Sequence, residues 1–135
     1  YREITEIRQR LEGLAAFHAA ARIDEATIAA LEKLNAAMAL LEHPQHYLEQ
    51  NYRFHFTVYA ASGMASLLPI IENLWMRIGP ALHHHPHEFN RMETVRKHDA
   101  IIDALRKGDR EGAEVAVAHD LGTAADFIVR SLQSG

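Results

Sequence analysis

Cysteine is absent from all 135 residues, which rules out a disulfide framework and any thiolate-held metal. The absence fits a reducing compartment, and a cytoplasmic location is expected. Basic excess is also missing. Fourteen Lys and Arg stand against 18 Asp and Glu, for a formal charge of −4, so this chain is not equipped to grip a nucleic-acid backbone by itself. Apolar runs fall well short of the roughly 20 residues that cross a bilayer. The N-terminus lacks the basic-then-apolar layout of a secretory signal, and no membrane partner is expected. Strand signals are missing too, because β-branched residues are sparse and no segment alternates with period two. What remains is 48% hydrophobic and 24% charged residues, ordinary for one globular domain of this length. The chain opens in helix-forming sequence without an initiating Met, and is expected to be a piece of a longer protein with more domain upstream.

The few prolines and glycines (4 and 7) fall where helices should begin and end. Ile4, Ile7, Leu11, Leu14 and Ala15, spaced by threes and fours, predict an amphipathic helix over 3–22. Asp24 is placed to cap a second helix through Ile28, Leu31, Leu34, Met38 and Leu41, ended by His43-Pro44. Pro44 suits the first turn of a third, closed by Gly63. A fourth is expected from about Ala65 through Ile70, Leu74, Trp75 and Ile78, with Gly79-Pro80 kinking or ending it. The stretch "HHHPHEF" reads as an exposed turn into a fifth helix carrying Val95, Ile101, Ile102 and Leu105 and ending at Gly108. Asp109 caps a sixth, which runs to about Leu132. The fold class expected is an all-α antiparallel bundle of about six helices.

Ten histidines invite a search for metal chemistry. Four of them, His83, His84, His85 and His87, crowd around a proline. Consecutive side chains on an irregular turn point in different directions, so this dense cluster reads as a solvated connector. A buried site in a bundle needs ligands on inward stripes of several helices. Leu48, Asn51, His55 and Val58 form one such stripe, and Val95, His98, Ile102 and Leu105 another. His119 follows Val115 by four residues and is flanked by Ala116 and Thr123. Neutral imidazole suits zinc, nickel and similar divalent ions. Asn51 could add a neutral carbonyl oxygen, where an aspartate would bind a dication more strongly. Periodicity alone does not show that these faces converge, and each histidine could equally be a hydrogen-bonded core residue.

Other chemistries find less support. No histidine has Glu three residues before it, as a bundle di-iron site would require, and there is no His-Glu-x-x-His pattern or Gly-rich phosphate loop. Ser62, Ser66 and Ser131 lack the strand-turn-helix context of a hydrolase nucleophile. Arg8, among Ile4, Ile7 and Leu11, and Arg77, after Trp75-Met76, could hold an acidic ligand through a bidentate guanidinium. An inter-helix or surface ion pair is the plainer alternative for both.

Three motifs in order carry a family resemblance. They are "EIRQRLEGLAA" with Arg8, Leu11 and Glu12, "NYRFHFTVYAASG", and "KHDAIIDALRKGDREGAEVAVAHDL". The chain resembles the FCD domain, the all-helical C-terminal effector domain of GntR-type transcription regulators of the FadR subfamily, over nearly its whole length. The resemblance implies a single effector-binding and dimerising domain over 1–135. A winged helix-turn-helix upstream would read operator DNA. It also implies a small organic-acid effector bound at or beside a divalent metal, with Arg8 and Arg77 as candidate contacts. By motif position the metal would fall to Asn51, His55, His98 and His119, and Asn51 stands where many members carry Asp. No catalytic residue is assigned. Two alternatives stay open: a metal-dependent hydrolase, with Glu72 or Glu93 as base, and a purely dimerising domain without metal.

Overall fold

The computed structural model describes the backbone of residues 1–84 and 91–134. It contains helices α1 (Arg2–Arg22), α2 (Glu25–Leu40), α3 (Pro44–Ala60), α4 (Leu67–His84), α5 (Arg91–Arg106) and α6 (Arg110–Ser134), with no strand among the described residues. The expected all-α architecture of six helices is present. Local chemistry accounts for four of the boundaries. The Asp24 carboxylate accepts the Thr27 N–H at 2.8 Å, and that of Asp109 accepts the Gly112 N–H at 3.0 Å. Each thereby satisfies a donor that the first turn of a helix leaves free. Gly63 and Gly108 take φ of +72° and +67° in the turns after α3 and α5, a conformation that costs other residues a Cβ clash.

One boundary differs from expectation. Gly79-Pro80 does not end α4, which runs on to His84. Proline in a helix loses one backbone hydrogen bond. The glycine before it, however, carries no Cβ to collide with the ring, which removes part of the usual penalty at that position. His83 and His84 therefore belong to α4, while His85 and His87 lie outside the described residues.

Helix α1 packs most extensively against α6 and also meets α3, α4 and α5. The C-terminal half of its buried face is built of Ala15, Ala16, Ala19 and Ala20, and small side chains let helix axes approach closely. A Cβ at Gly13 would sit 3.1 Å from Glu114 Cγ of α6. The main core joins this alanine face to Leu31, Phe54, Val58, Tyr59, Ile71, Ile101, Leu105 and Val117. A smaller cluster of Met38, Tyr47 and Val95 closes the junction of α2, α3 and α5. Ile7, in the stripe expected to face inward, is 42% exposed, whereas Thr5, Arg8 and Glu12 of the same helix are buried.

Leu31 is fully buried and Leu40 is 82% exposed, so these two of the three leucines of α2 offer a direct test. Leu31→Ala should lower unfolding free energy by about 2–5 kcal/mol, and Leu40→Ala should stay within about 0.5 kcal/mol of the parent. Urea unfolding of both variants measures the contrast.

Candidate metal centre

On α3 the residues facing the interior are Tyr47, Phe54, His55, Val58 and Tyr59, the one-turn spacing of a helix face. Asn51 stands one turn before His55 and is half-buried. On α5 the inward row is Val95, His98, Ile101, Ile102 and Leu105, as expected. On α6 it is Ala113, Val117, Asp120, Leu121 and Ala125. His119 therefore lies on the exposed side, because Val115, on whose spacing its inward placement rested, is itself 66% exposed. The buried donor that α6 delivers is its neighbour, Asp120.

Three side chains from three helices thus meet. His55 Nε2 is 3.0 Å and His98 Nε2 3.4 Å from Asp120 Oδ2, and donor atoms of the three groups all lie within 4.8 Å of one another. His55 is 1% exposed, His98 0% and Asp120 6%. His98 Nε2 makes no hydrogen bond among the described residues, nor does the buried Oδ1 of Asn51. Phe54 stacks on the His98 ring at 3.9 Å between centroids, 4° from parallel, and so fixes its plane.

The far nitrogens of both rings are already committed. Asn35 uses its amide N–H bonds on Val95 O (3.0 Å) and Asp99 Oδ1 (2.8 Å), which leaves its oxygen to accept from His98 Nδ1 at 3.2 Å. Tyr59 donates its hydroxyl proton to Glu12 Oε1 at 2.6 Å, so its oxygen accepts from His55 Nδ1 at 2.8 Å. With each Nδ1 protonated, a neutral ring turns the bare lone pair of Nε2 toward a carboxylate. Two lone pairs and an anion at this separation need a positive charge, either an added proton or a metal ion. A histidine whose second nitrogen is held by a neighbour, as both are here, is the usual support for a metal ligand.

Burial works against ionisation of Asp120, but positive charge on the His98 and His55 imidazoles, with the N–H bonds they then donate, outweighs it and holds the carboxyl well below the ordinary carboxylate range. Burial depresses His98 from its ordinary value, against the raising effect of Asp120. The ionised carboxylate and neutral His98 are the states that metal binding requires.

The other expected residues fall elsewhere. Arg8 is buried, but its guanidinium is taken by Glu12, with Nε 2.7 Å from Oε2, and it lies 4.6 Å over the Trp75 ring. Arg77 and Glu72 are on the exposed side of α4, and Glu93 pairs with Lys97 at 2.9 Å.

Comparison with known proteins places this geometry in context. The family model of the FCD domain matches residues 3–123. The HTH-type transcriptional regulator McbR of Escherichia coli (strain K12) is 28% identical over 122 residues, covering 86% of this chain and 55% of that protein. The transcriptional regulatory protein NedR of Micromonospora viridifaciens is 30% identical over 90 residues, covering 64% of each. The solved structure of E. coli McbR/YncC superposes with a TM-score of 0.85 at 25% identity, covering 97% of this chain and 65% of that one. The chain thus spans 55% to 65% of the length of these relatives.

The buried titrating groups set the acid response of the metal-free protein. The unfolded state takes up a proton near the ordinary His value of about 6.5, while His98 in the fold resists it. Between those two values the unfolded chain binds more protons, so stability falls as pH drops below about 6.5. Asp120, depressed in the fold, adds a second loss below the ordinary Asp value of about 3.9. Urea midpoints of chelator-treated protein should fall from pH 7.5 to pH 5 and further by pH 3.5. A midpoint unchanged down to pH 5 would contradict a neutral buried His98.

Proposed function

Because the chain belongs to the FCD domain family, we propose that it is the effector-sensing and dimerising domain of a GntR-type transcription regulator, and that it holds a divalent metal on His55, His98 and Asp120. The observation that carries the metal is the meeting of two Nε2 atoms with one buried carboxylate while both Nδ1 atoms are committed to Tyr59 and Asn35. Two imidazoles and a carboxylate suit zinc or nickel. The unpartnered Oδ1 of Asn51, one turn from His55, is the neutral fourth donor that best fits this set. Operator DNA would be read by a helix-turn-helix domain that this chain does not include, in keeping with the name of McbR. Among the described residues no helix is long and apolar enough to cross a membrane; a cytoplasmic location is proposed from the likeness to transcriptional regulators.

In this reading the chain's own residues do three things. Tyr59 and Asn35 keep both rings oriented with Nε2 inward. Phe54 covers the His98 ring and all three donor residues are buried, which strengthens their hold on charge. Asp120 supplies the one negative charge among them. When bound, the metal contributes Lewis acidity and net positive charge, which attract the carboxylate of a small organic acid. An effector shifts a regulator only through differential affinity for its conformations, typically worth about 1–3 kcal/mol. Arg8 is already ion-paired, so the metal is the better-supported anchor for the acid.

Titration calorimetry of chelator-treated protein with zinc or nickel tests the site. Losing an outer partner of a metal ligand costs about 10- to 100-fold in affinity, and losing a ligand should cost more. His55→Ala, His98→Ala and Asp120→Ala should therefore each weaken zinc by more than about 100-fold, while His119→Ala changes it little. Equal losses in His119→Ala and Asp120→Ala would remove Asp120 from its assigned role. A panel of small organic acids should raise the melting temperature of the metal-loaded protein only. The same rise in chelated protein would separate the effector from the metal.

A further inference from the structure

The deepest polar group of α1 has no part in the ligand set. Glu12 is 0% exposed, and its carboxylate gathers three donors from three helices. These are Arg8 Nε at 2.7 Å, Tyr59 Oη at 2.6 Å and Trp75 Nε1 at 2.9 Å. An ionised carboxylate accepts and cannot donate. The Tyr59 proton therefore points at Glu12. That orientation leaves only an oxygen lone pair facing His55 Nδ1 at 2.8 Å.

We infer that Glu12, clamped by Arg8 and Trp75, acts through Tyr59 as a positioning residue that holds the proton of His55 on Nδ1 and so reserves Nε2 for the metal. The inference deepens the proposed metal centre and rests on it for its purpose, although the proton's location can be read without any metal. It also gives Arg8 a different part from the effector contact expected of it: its guanidinium holds Glu12 in the orientation that Tyr59 requires. If Tyr59 lost its hydroxyl, nothing described on that side of the ring would accept the Nδ1 proton. The neutral ring would then place its proton on Nε2, where Asp120 Oδ2 lies 3.0 Å away, and that proton would occupy the position the metal needs. His98 is held separately by Asn35 and provides an internal control.

The test is nitrogen-15 NMR of the histidine side chains in wild type and Tyr59→Phe, which keeps the buried ring and removes only the hydroxyl. Spectra are recorded on chelator-treated protein at pH 8.5, with zinc affinity measured in parallel. The expected result is His55 Nδ1 protonated in wild type and unprotonated in Tyr59→Phe, with His98 Nδ1 protonated in both. Zinc affinity should fall by about 10- to 100-fold. A wild-type His55 with bare Nδ1 would overturn the inference whatever the variant does. So would an Nδ1 that stays protonated in Tyr59→Phe. If the wild type failed to bind zinc but showed the proton switch, the positioning role would stand and the metal reading would fall.

Discussion

Burying an ionised carboxylate inside a helical bundle costs several kcal/mol unless positive charge or hydrogen bonds meet it. Asp120 is such a group, and the middle of this bundle is arranged around it. Ala113, Val117 and Leu121 carry the surrounding face of α6 into the core, so the aspartate cannot turn to solvent without withdrawing apolar neighbours. His55 and His98 approach from α3 and α5, each steered by contacts of its own. An apolar bundle with the same helices would need none of this. The residue types at its centre therefore point to a ligand rather than to stability, because buried polar clusters tend to match apolar packing in stability at best.

The cluster belongs to a longer chain of contacts that crosses the fold. Arg8 pairs with Glu12, Glu12 receives Tyr59, and Tyr59 holds His55. His55 and His98 share Asp120, and His98 leans on Asn35, which donates to Asp99. Every contact but Arg8–Glu12 joins residues on different helices, or different turns of α3, so the set ties together α1, α2, α3, α5 and α6. Buried networks of this kind are costly when partly broken. A ligand that altered the geometry around Asp120 would therefore be felt at α1 and at α2 together, which is the kind of contiguous path that lets a core site bias helix positions.

The sequence made most helix ends readable because turn chemistry is local. Asp24, Asp109, Gly63 and Gly108 act on atoms within a few residues. The inward faces of α3 and α5 were readable because large apolar side chains mark them. Helix α6 was not, since its buried face is built mostly of Ala and Val, and an aspartate within it has the composition of a solvated position. Counting from Val117 and Leu121 rather than Val115 would have pointed to Asp120. Helix α1 misled for a different reason. Its polar residues go inside because Tyr59 and Trp75 meet Glu12 from 47 and 63 residues away, and no local window contains those partners.

Asn51 and Asp120 are best understood as a pair. The pattern that the chain resembles places a carboxylate at the first position and imidazoles at the other three, for one negative charge. Here the first position is a neutral amide, which taken alone would leave a dication facing neutral donors only. In the proposed site Asp120 would supply the missing charge from α6, beside His55 and His98. The total of that proposed set would stay at one negative charge, with its source on α6 rather than α3. Coulombic attraction depends on the number and distance of charges and not on which helix supplies them, so the exchange preserves the pull on a cation. Direction does change. In the proposed site the anionic donor would approach from α6 and the neutral oxygen from α3, so an anionic effector entering beside Asn51 would meet less repulsion than one entering beside an aspartate.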